Sequence, residues 1–438
     1  MSSDKKIRLF QVGLGTFGTS SLAIWRQLGF KSQGELVETV GFGDIVEKPY
    51  AQARELFARA SITEDRLPED YFNSLTRLHG AEETLTEFIK SPESGNAVYV
   101  STPDFAHHAY LMAAAEGGKH IFCEKPLDIT YLGALEVVRE SKKQNKVLQV
   151  DFHKRPDPYH NQLPDIIKGG AGDLGEILNG YAWMKDQIVV PRDWFRGWAH
   201  LASSFSFLGS HMVDLVAFAM DFPQPVWISA TGHKKKLQSL GIDSYDDMVA
   251  TVAFDNGANV VFDTNWIMNE TFPAIVYQGF ELWGTEGHIR IDSTRRGEEL
   301  TTNDGFKFVN KGFVAGAMDI DGNYYETGYR AIPFVNFARD VSAVLEGKST
   351  VEEASSKISG EQALISTAAV RASTISVELD GTRIHIDCLE EIDTRIKAEF
   401  GKEGQDGIRR FYQGRLYCDA IKSKEDLLKI VTDVQRKR

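Results

Sequence analysis

Cysteine is scarce. Cys123, Cys388 and Cys418 are the three in 438 residues. An odd set without a Cys-x-x-Cys pair builds neither a disulfide framework nor a thiolate zinc site, and a reducing compartment follows as the simple expectation. Histidines and cysteines with metal-ligand spacing are also lacking. His107 and His108 are adjacent and diverge on a helix, so no metal is expected. Long apolar runs are missing. The stretch Ile7 to Leu14 is too short and too glycine-punctuated for a signal peptide or a membrane span, and a cytoplasmic location is expected. Positive charge is in deficit, with 49 Lys and Arg against 62 Asp and Glu and a net charge of −13. That disfavours nucleic acid or an anionic membrane as the main partner. No internal repeat and no low-complexity linker stands out.

What is present reads as a packed globular chain, 42% hydrophobic and 25% charged, long enough for two domains and a tail. Short strand-like and helix-like stretches alternate over the first 150 residues. Strands are predicted at Ile7 to Val12, Leu36 to Phe42, Asn96 to Val100, His120 to Cys123 and Val147 to Phe152. Helices are predicted at Ser20 to Leu28, Ala51 to Arg59, Phe105 to Glu116 and Leu132 to Lys143. Strict alternation implies a parallel sheet covered on both faces. Beyond Asp151, closely spaced β-like runs, with Asp255-Asn256-Gly257 as a hairpin turn, predict a mainly antiparallel sheet. Helices at Gly209 to Met220 and Phe334 to Glu346 interrupt it. The expected division is a dinucleotide-binding domain at 1–152, a substrate-binding and oligomerisation domain at 153–389, and a charged helical extension at 390–438, a solvated helix or oligomer arm without chemistry.

Gly13-Leu14-Gly15-Thr16-Phe17-Gly18 follows the first strand and opens a helix. Glycines there permit a tight turn and close approach of a pyrophosphate to free N–H groups. Asp44, at the end of the second strand, suits the ribose hydroxyls and repels a 2′-phosphate, which favours NAD over NADP; as a bare turn residue it would do neither. Lys125 follows a strand in Glu124-Lys125-Pro126, at the edge where open α/β sheets bind ligands, although a lysine before a turn is also an ordinary surface residue.

Together with Ser101-Thr102-Pro103, His107, Gly209-Ser210-His211-Met212-Val213-Asp214-Leu215 and Trp283-Gly284-Thr285-Glu286-Gly287, these motifs resemble the glucose–fructose oxidoreductase / inositol dehydrogenase family (Gfo/Idh/MocA) from about Ile7 to Asp387. The resemblance implies an N-terminal Rossmann domain and a C-terminal α+β domain with a large open sheet that often forms an oligomer interface, here a homodimer or homotetramer. It implies NAD as cofactor and a small sugar or polyol as substrate. Cofactor contacts fall to Gly13, Gly15, Thr16, Phe17, Gly18, Asp44, Ser101, Thr102, Pro103, His107, Glu124 and Lys125. Lys125 touches both the nicotinamide ribose and the reacting hydroxyl, and His211 is the acid–base group, a role that suits an imidazole.

The chain departs from the family at Phe207, where many members carry an aspartate four residues before the histidine; Asp214 or Asp193 could substitute. His153, Lys154, Arg155, Trp194, Asp214 and Tyr325 are expected at the substrate, with at least one of the three basic residues turned away, and Tyr324 and Tyr329 at the rim. The function implied is NAD-dependent hydride transfer at a hydroxyl-bearing carbon. A lyase or glycosidase using NAD transiently, or a non-catalytic sugar- or NAD-sensing protein, are the alternatives.

Overall fold

The computed structural model describes residues 6–29, 35–46, 74–167, 174–303, 305–314, 316–318, 324–355 and 358–438, without side chains at 316–318 and 324–326. The helix expected at Ala51 to Arg59 lies outside these residues. The chain divides into two compact units, each discontinuous in sequence. Unit 1 takes 1–127, 135–157 and 311–361; unit 2 takes 128–134, 158–310 and 362–438.

Unit 1 is built on six parallel strands: β1 (Ile7–Val12), β2 (Val37–Asp44), β3 (Thr76–His79), β4 (Ala97–Val100), β5 (His120–Glu124) and β6 (Leu148–Asp151). Their order is β3-β2-β1-β4-β5-β6, the doubly wound arrangement whose direction reverses between β1 and β4. The central strands are buried along their length, as a sheet covered on both faces requires. Trp25, Tyr99 and Phe122 form an aromatic core with Phe334 and Phe337 of the helix Ile332–Leu345; Trp25 to Phe334 is 4.8 Å and Phe122 to Phe337 is 5.3 Å between centroids. Phe334, Phe337, Ala338 and Val341 recur at helical spacing on one buried stripe, so this late segment belongs to unit 1. The expected boundary at 152 missed that return, because a β-to-helix reading assigns each segment to its sequence neighbours.

Unit 2 carries a seven-stranded sheet of β7 (Ile177–Gln187), β8 (Pro225–His233), β9 (Asp247–Phe254), β10 (Asn259–Met268), β11 (Val276–Gly284), β12 (His288–Asp292) and the short strand Ile384–His385. The order is β12-β11-β7-β10-β9-β8 and then that short strand, antiparallel except for β10 against β7. The turn between β9 and β10 places Gly257 at φ +90°, where a side chain would be strained. The segment 390–438 is not a separate extension. Leu389, Ile392, Ile396 and Phe400 line the inner stripe of the helix Leu389–Gly401, and Phe411, Leu427 and Val431 join the same core. The fully buried Arg371 Nε meets Asp393 Oδ1 at 2.7 Å, and Asp393 Oδ2 accepts from the Tyr131 and Leu132 amides at 2.9 and 3.1 Å.

Candidate active site

The glycine turn joins β1 to the helix Thr16–Gln27. Its three glycines meet different surroundings. Gly13 has φ +92°, and a Cβ there would lie 2.6 Å from the Ser101 carbonyl carbon. A Cβ on Gly18 would strike the Gly13 carbonyl and the Ser101 hydroxyl. Above Gly15 there is open space, and no side chain caps the helix that begins after it. A turn that is tight at its ends and open in the middle, under an uncapped helix N-terminus, fits a dinucleotide pyrophosphate. Gln11 Nε2 donates to the Gly13 and Gly18 carbonyls at 3.1 and 2.7 Å, and Ser101 Oγ donates to Gly13 O at 2.8 Å, which fixes the loop. Asp44 stands beside it: Oδ2 accepts from the Leu14 amide at 2.6 Å and Oδ1 from the Val46 amide at 2.8 Å.

Ser101, Thr102 and Pro103 leave β4, and Lys125 leaves β5, at the same carboxyl edge. The Lys125–Pro126 peptide is cis, and Lys125 is 8% exposed. His107 ties these two loops together, with Nδ1 2.8 Å from Pro126 O and Nε2 3.0 Å from Thr102 O. The ring lies between the two loops, and its N–H donates to one of these two carbonyls according to the tautomer.

Behind Lys125 lies a buried polar chain. Arg330 Nη2 donates to Phe17 O (3.1 Å), Ser20 Oγ (2.7 Å) and Ser21 Oγ (2.9 Å), and its guanidinium sits 4.3 Å over the Phe17 ring. Ser21 Oγ is 3.2 Å from the Tyr99 hydroxyl, which donates to Glu124 Oε1 at 2.5 Å. Glu124 is the register partner of Asp151, and Asp151 Oδ2 is 3.4 Å from His153 Nδ1. Burial raises the Glu124 and Asp151 carboxyls to about 7, with the neighbouring Asp151 charge adding to the rise at Glu124. Burial pushes the His153 imidazole down to about 3, reinforced by Lys154.

His153, Lys154 and Arg155 are all buried. The Arg155 guanidinium packs 4.7 Å over the Phe152 ring. Tyr329 is buried against Phe313 and His153, not at a rim, because the 311–361 segment returns to unit 1. The Tyr324 and Tyr325 side chains lie outside the described residues.

In unit 2, a π-helical turn at Phe205–Gly209 leads into the helix Ser210–Ala219. His211 and Asp214 are both buried in its first turns, three residues apart and so on nearly one face. Phe207 joins an aromatic group, with centroids 4.9 Å from Phe195, 6.3 Å from Trp198 and 6.0 Å from Trp266. Trp194 is 59% exposed, while the turn at Val190–Trp194 buries Val190 and Pro191. Asp193 is paired with Arg192 at 2.6 Å, and Arg192 also binds Glu270. A cavity of about 640 Å³ in unit 2, with Ser206, Tyr245, Glu378 and Tyr417 in its wall, includes none of the expected substrate residues. Among the described residues no three His, Cys, Asp or Glu side chains are grouped to hold a metal, and no helix is long and apolar enough to cross a membrane.

Residues 7–152 match the family described as oxidoreductases with an NAD-binding Rossmann fold, and residues 163–290 match the C-terminal domain of the same Gfo/Idh/MocA group. The chain belongs to the Gfo/Idh/MocA oxidoreductase family. Among its curated relatives, the myo-inositol 2-dehydrogenase of Thermotoga maritima is 26% identical over 57% of this chain and 71% of its own length. The D-glucoside 3-dehydrogenase of Escherichia coli is 27% identical over 47% and 63%. An uncharacterised oxidoreductase of Bacillus subtilis matches at 27% over 46% of this chain and 56% of its own length, so the chain spans little more than half of some curated relatives. Scyllo-inositol dehydrogenase of Lactobacillus casei, solved with NAD(H) and scyllo-inositol, shares the fold at a TM-score of 0.61 and 15% identity, covering 87% of this chain and 99% of its own. As in that family, unit 1 is an NAD-binding Rossmann domain.

Sequence reasoning missed Arg330 and the pairing of Asp151 with Glu124. Arg330 sits in no motif and reaches the glycine loop only through the chain's late return. The carboxylate pair had a signal: two acids end consecutive parallel strands, so in-register pairing would set them side by side.

Proposed function

We propose that this chain is an NAD-dependent dehydrogenase that moves a hydride between nicotinamide and a hydroxyl-bearing carbon of a sugar, inositol or related polyol. One observation supports this most: the open Gly15 turn, the Ser101–Pro103 loop and Lys125 share the carboxyl edge of one parallel sheet around the strand-order reversal. NAD, when bound, supplies the hydride acceptor. The backbone from Gly13 to Gly18 would hold its pyrophosphate, and the Asp44 carboxylate would accept from the adenosine ribose hydroxyls and disfavour NADP. The Lys125 ammonium donates a hydrogen bond to the substrate oxygen and stabilises the alkoxide charge that develops there. The His211 imidazole takes the hydroxyl proton during oxidation and returns it during reduction. Phe207 removes the carboxylate that many relatives carry one turn before His211, and Asp214 is the remaining acid on that helix to orient the imidazole. The compartment is cytoplasmic and the working form is a homo-oligomer in this reading.

The test is NADH formation by the purified chain across a panel of inositols, aldoses and sugar acids. At least one should be oxidised with stoichiometric NADH. Tight NAD retention with substrate cleavage and no net NADH would replace the reading with a transient-oxidation lyase. NAD binding without turnover of any compound would replace it with a sensing protein.

A further inference from the structure

At the carboxyl ends of β5 and β6 two acids stand side by side. Glu124 and Asp151 are register partners in adjacent parallel strands, so their side chains leave the sheet on one face. Both are buried, Asp151 completely. The Tyr99 hydroxyl, from β4, occupies Glu124 Oε1, while Asp151 Oδ1 has no hydrogen-bond partner. The cations that face the pair are Lys125, the next residue in the chain, and Arg330, ahead of the helix Ile332–Leu345. His153 lies against Asp151 from the segment after β6, with Lys154 behind it.

Two ionised carboxylates out of water repel each other, and one proton relieves that repulsion while turning one acid into a donor. We propose that Glu124 and Asp151 hold one proton between them, and that this proton sets how firmly Lys125 is kept as an ammonium for the reacting hydroxyl. The inference rests on the reading of Lys125 given above and adds a positioning pair to it. Burial lifts both carboxyls to about 7, while Arg330 and then Lys125 hold Asp151 down. Tyr99 is pushed well above the usual phenol range by burial and remains a donor. His153, held near 3, contributes no charge. Only an O–H bond is made or broken: as pH rises through about 7 the proton leaves for solvent, and the second negative charge favours the ammonium of Lys125. As pH falls the pair regains the proton and that support weakens.

Two measurements on the full chain decide this without turnover. Infrared spectra should show the carbonyl stretch of a neutral carboxyl at about pH 6 that fades by about pH 9, since exposed carboxyls are ionised throughout that range. In both Asp151→Asn and Glu124→Gln the band should fade at a lower pH than in the wild type, because the remaining buried acid has lost its charged neighbour. Competitive labelling with acetic anhydride should then acetylate Lys125 faster in Asp151→Asn by roughly ten-fold, the effect of one pKa unit. Absence of the band from the wild type, or an unchanged midpoint in both variants, overturns the shared proton. Equal labelling of Lys125 in wild type and variant overturns its link to Lys125. If Asp151→Asn does not fold, Glu124→Gln serves in both measurements. A chain that passes both and turns over no polyol refutes the dehydrogenase reading and leaves the proton pair standing.

Discussion

Three glycines within six residues answer to three different constraints, and substitution separates them. Gly13→Ala places a side chain at φ +92° against the Ser101 backbone, so it should destabilise the fold by about 1–3 kcal/mol. Gly15→Val adds bulk where no atom lies within 4 Å, so its melting temperature should stay near wild type while NADH affinity, read by fluorescence titration, falls at least roughly ten-fold. Equal loss of stability in both variants would contradict the cradle. This part of the site is legible in sequence because backbone geometry dictates glycine at fixed spacing. The chain from Arg330 through Ser21 and Tyr99 to Glu124 is not, since its members come from four segments and share only their burial.

Helices and strands record how far periodicity reaches. The strand Ile7–Val12 falls where its apolar patterning predicts, and β9 and β10 flank the turn Asp255-Asn256-Gly257 as a hairpin. The nineteen-residue helix Gly360–Glu378 went unread because it has no polar face to set a period: Ser366, Thr367, Arg371 and Ser373 are fully buried alongside its apolar residues. In unit 1, the helix Ile332–Leu345 holds its place through Phe334 and Phe337. Phe337→Ala should cost about 3–5 kcal/mol, read by denaturant unfolding; a loss below about 1 kcal/mol would show that this face is not packed as described. His120, at the start of β5, is buried, and burial first, then Lys146, lowers its imidazole from 6.5 to about 3. Its Nδ1 accepts from the Val147 amide at 3.2 Å, so the native ring is neutral. The unfolded chain binds a proton below about 6.5 that the native one refuses, so stability falls as pH drops through that window. At pH 5 this amounts to roughly 2 kcal/mol, and His120→Gln should flatten the acid limb of stability against pH. An unchanged limb would contradict the buried neutral ring. Over part of the same window the raised carboxyls of Glu124 and Asp151 act oppositely, with stability lost as pH rises through about 7.

At the scale of the whole chain, both units are assembled from distant segments. A fragment ending at Asp157 lacks the helix that covers Trp25 and Phe122, so it should aggregate or remain molten by circular dichroism; cooperative melting of that fragment would contradict the assignment of 311–361 to unit 1. The charged tail illustrates the limit of composition. Its polar residues suggest a solvated arm, yet Leu389, Ile392, Ile396 and Phe400 recur at helical spacing and enter the unit 2 core. Lys125 belongs to unit 1 and His211 to unit 2. The most direct measurement is the rate of NADH formation, at saturating NAD and an active polyol, for wild type, Lys125→Ala and His211→Ala. Each substitution should lower kcat by roughly 10²–10⁴-fold with folding and NADH binding retained. Near-wild-type kcat in both variants would contradict the account.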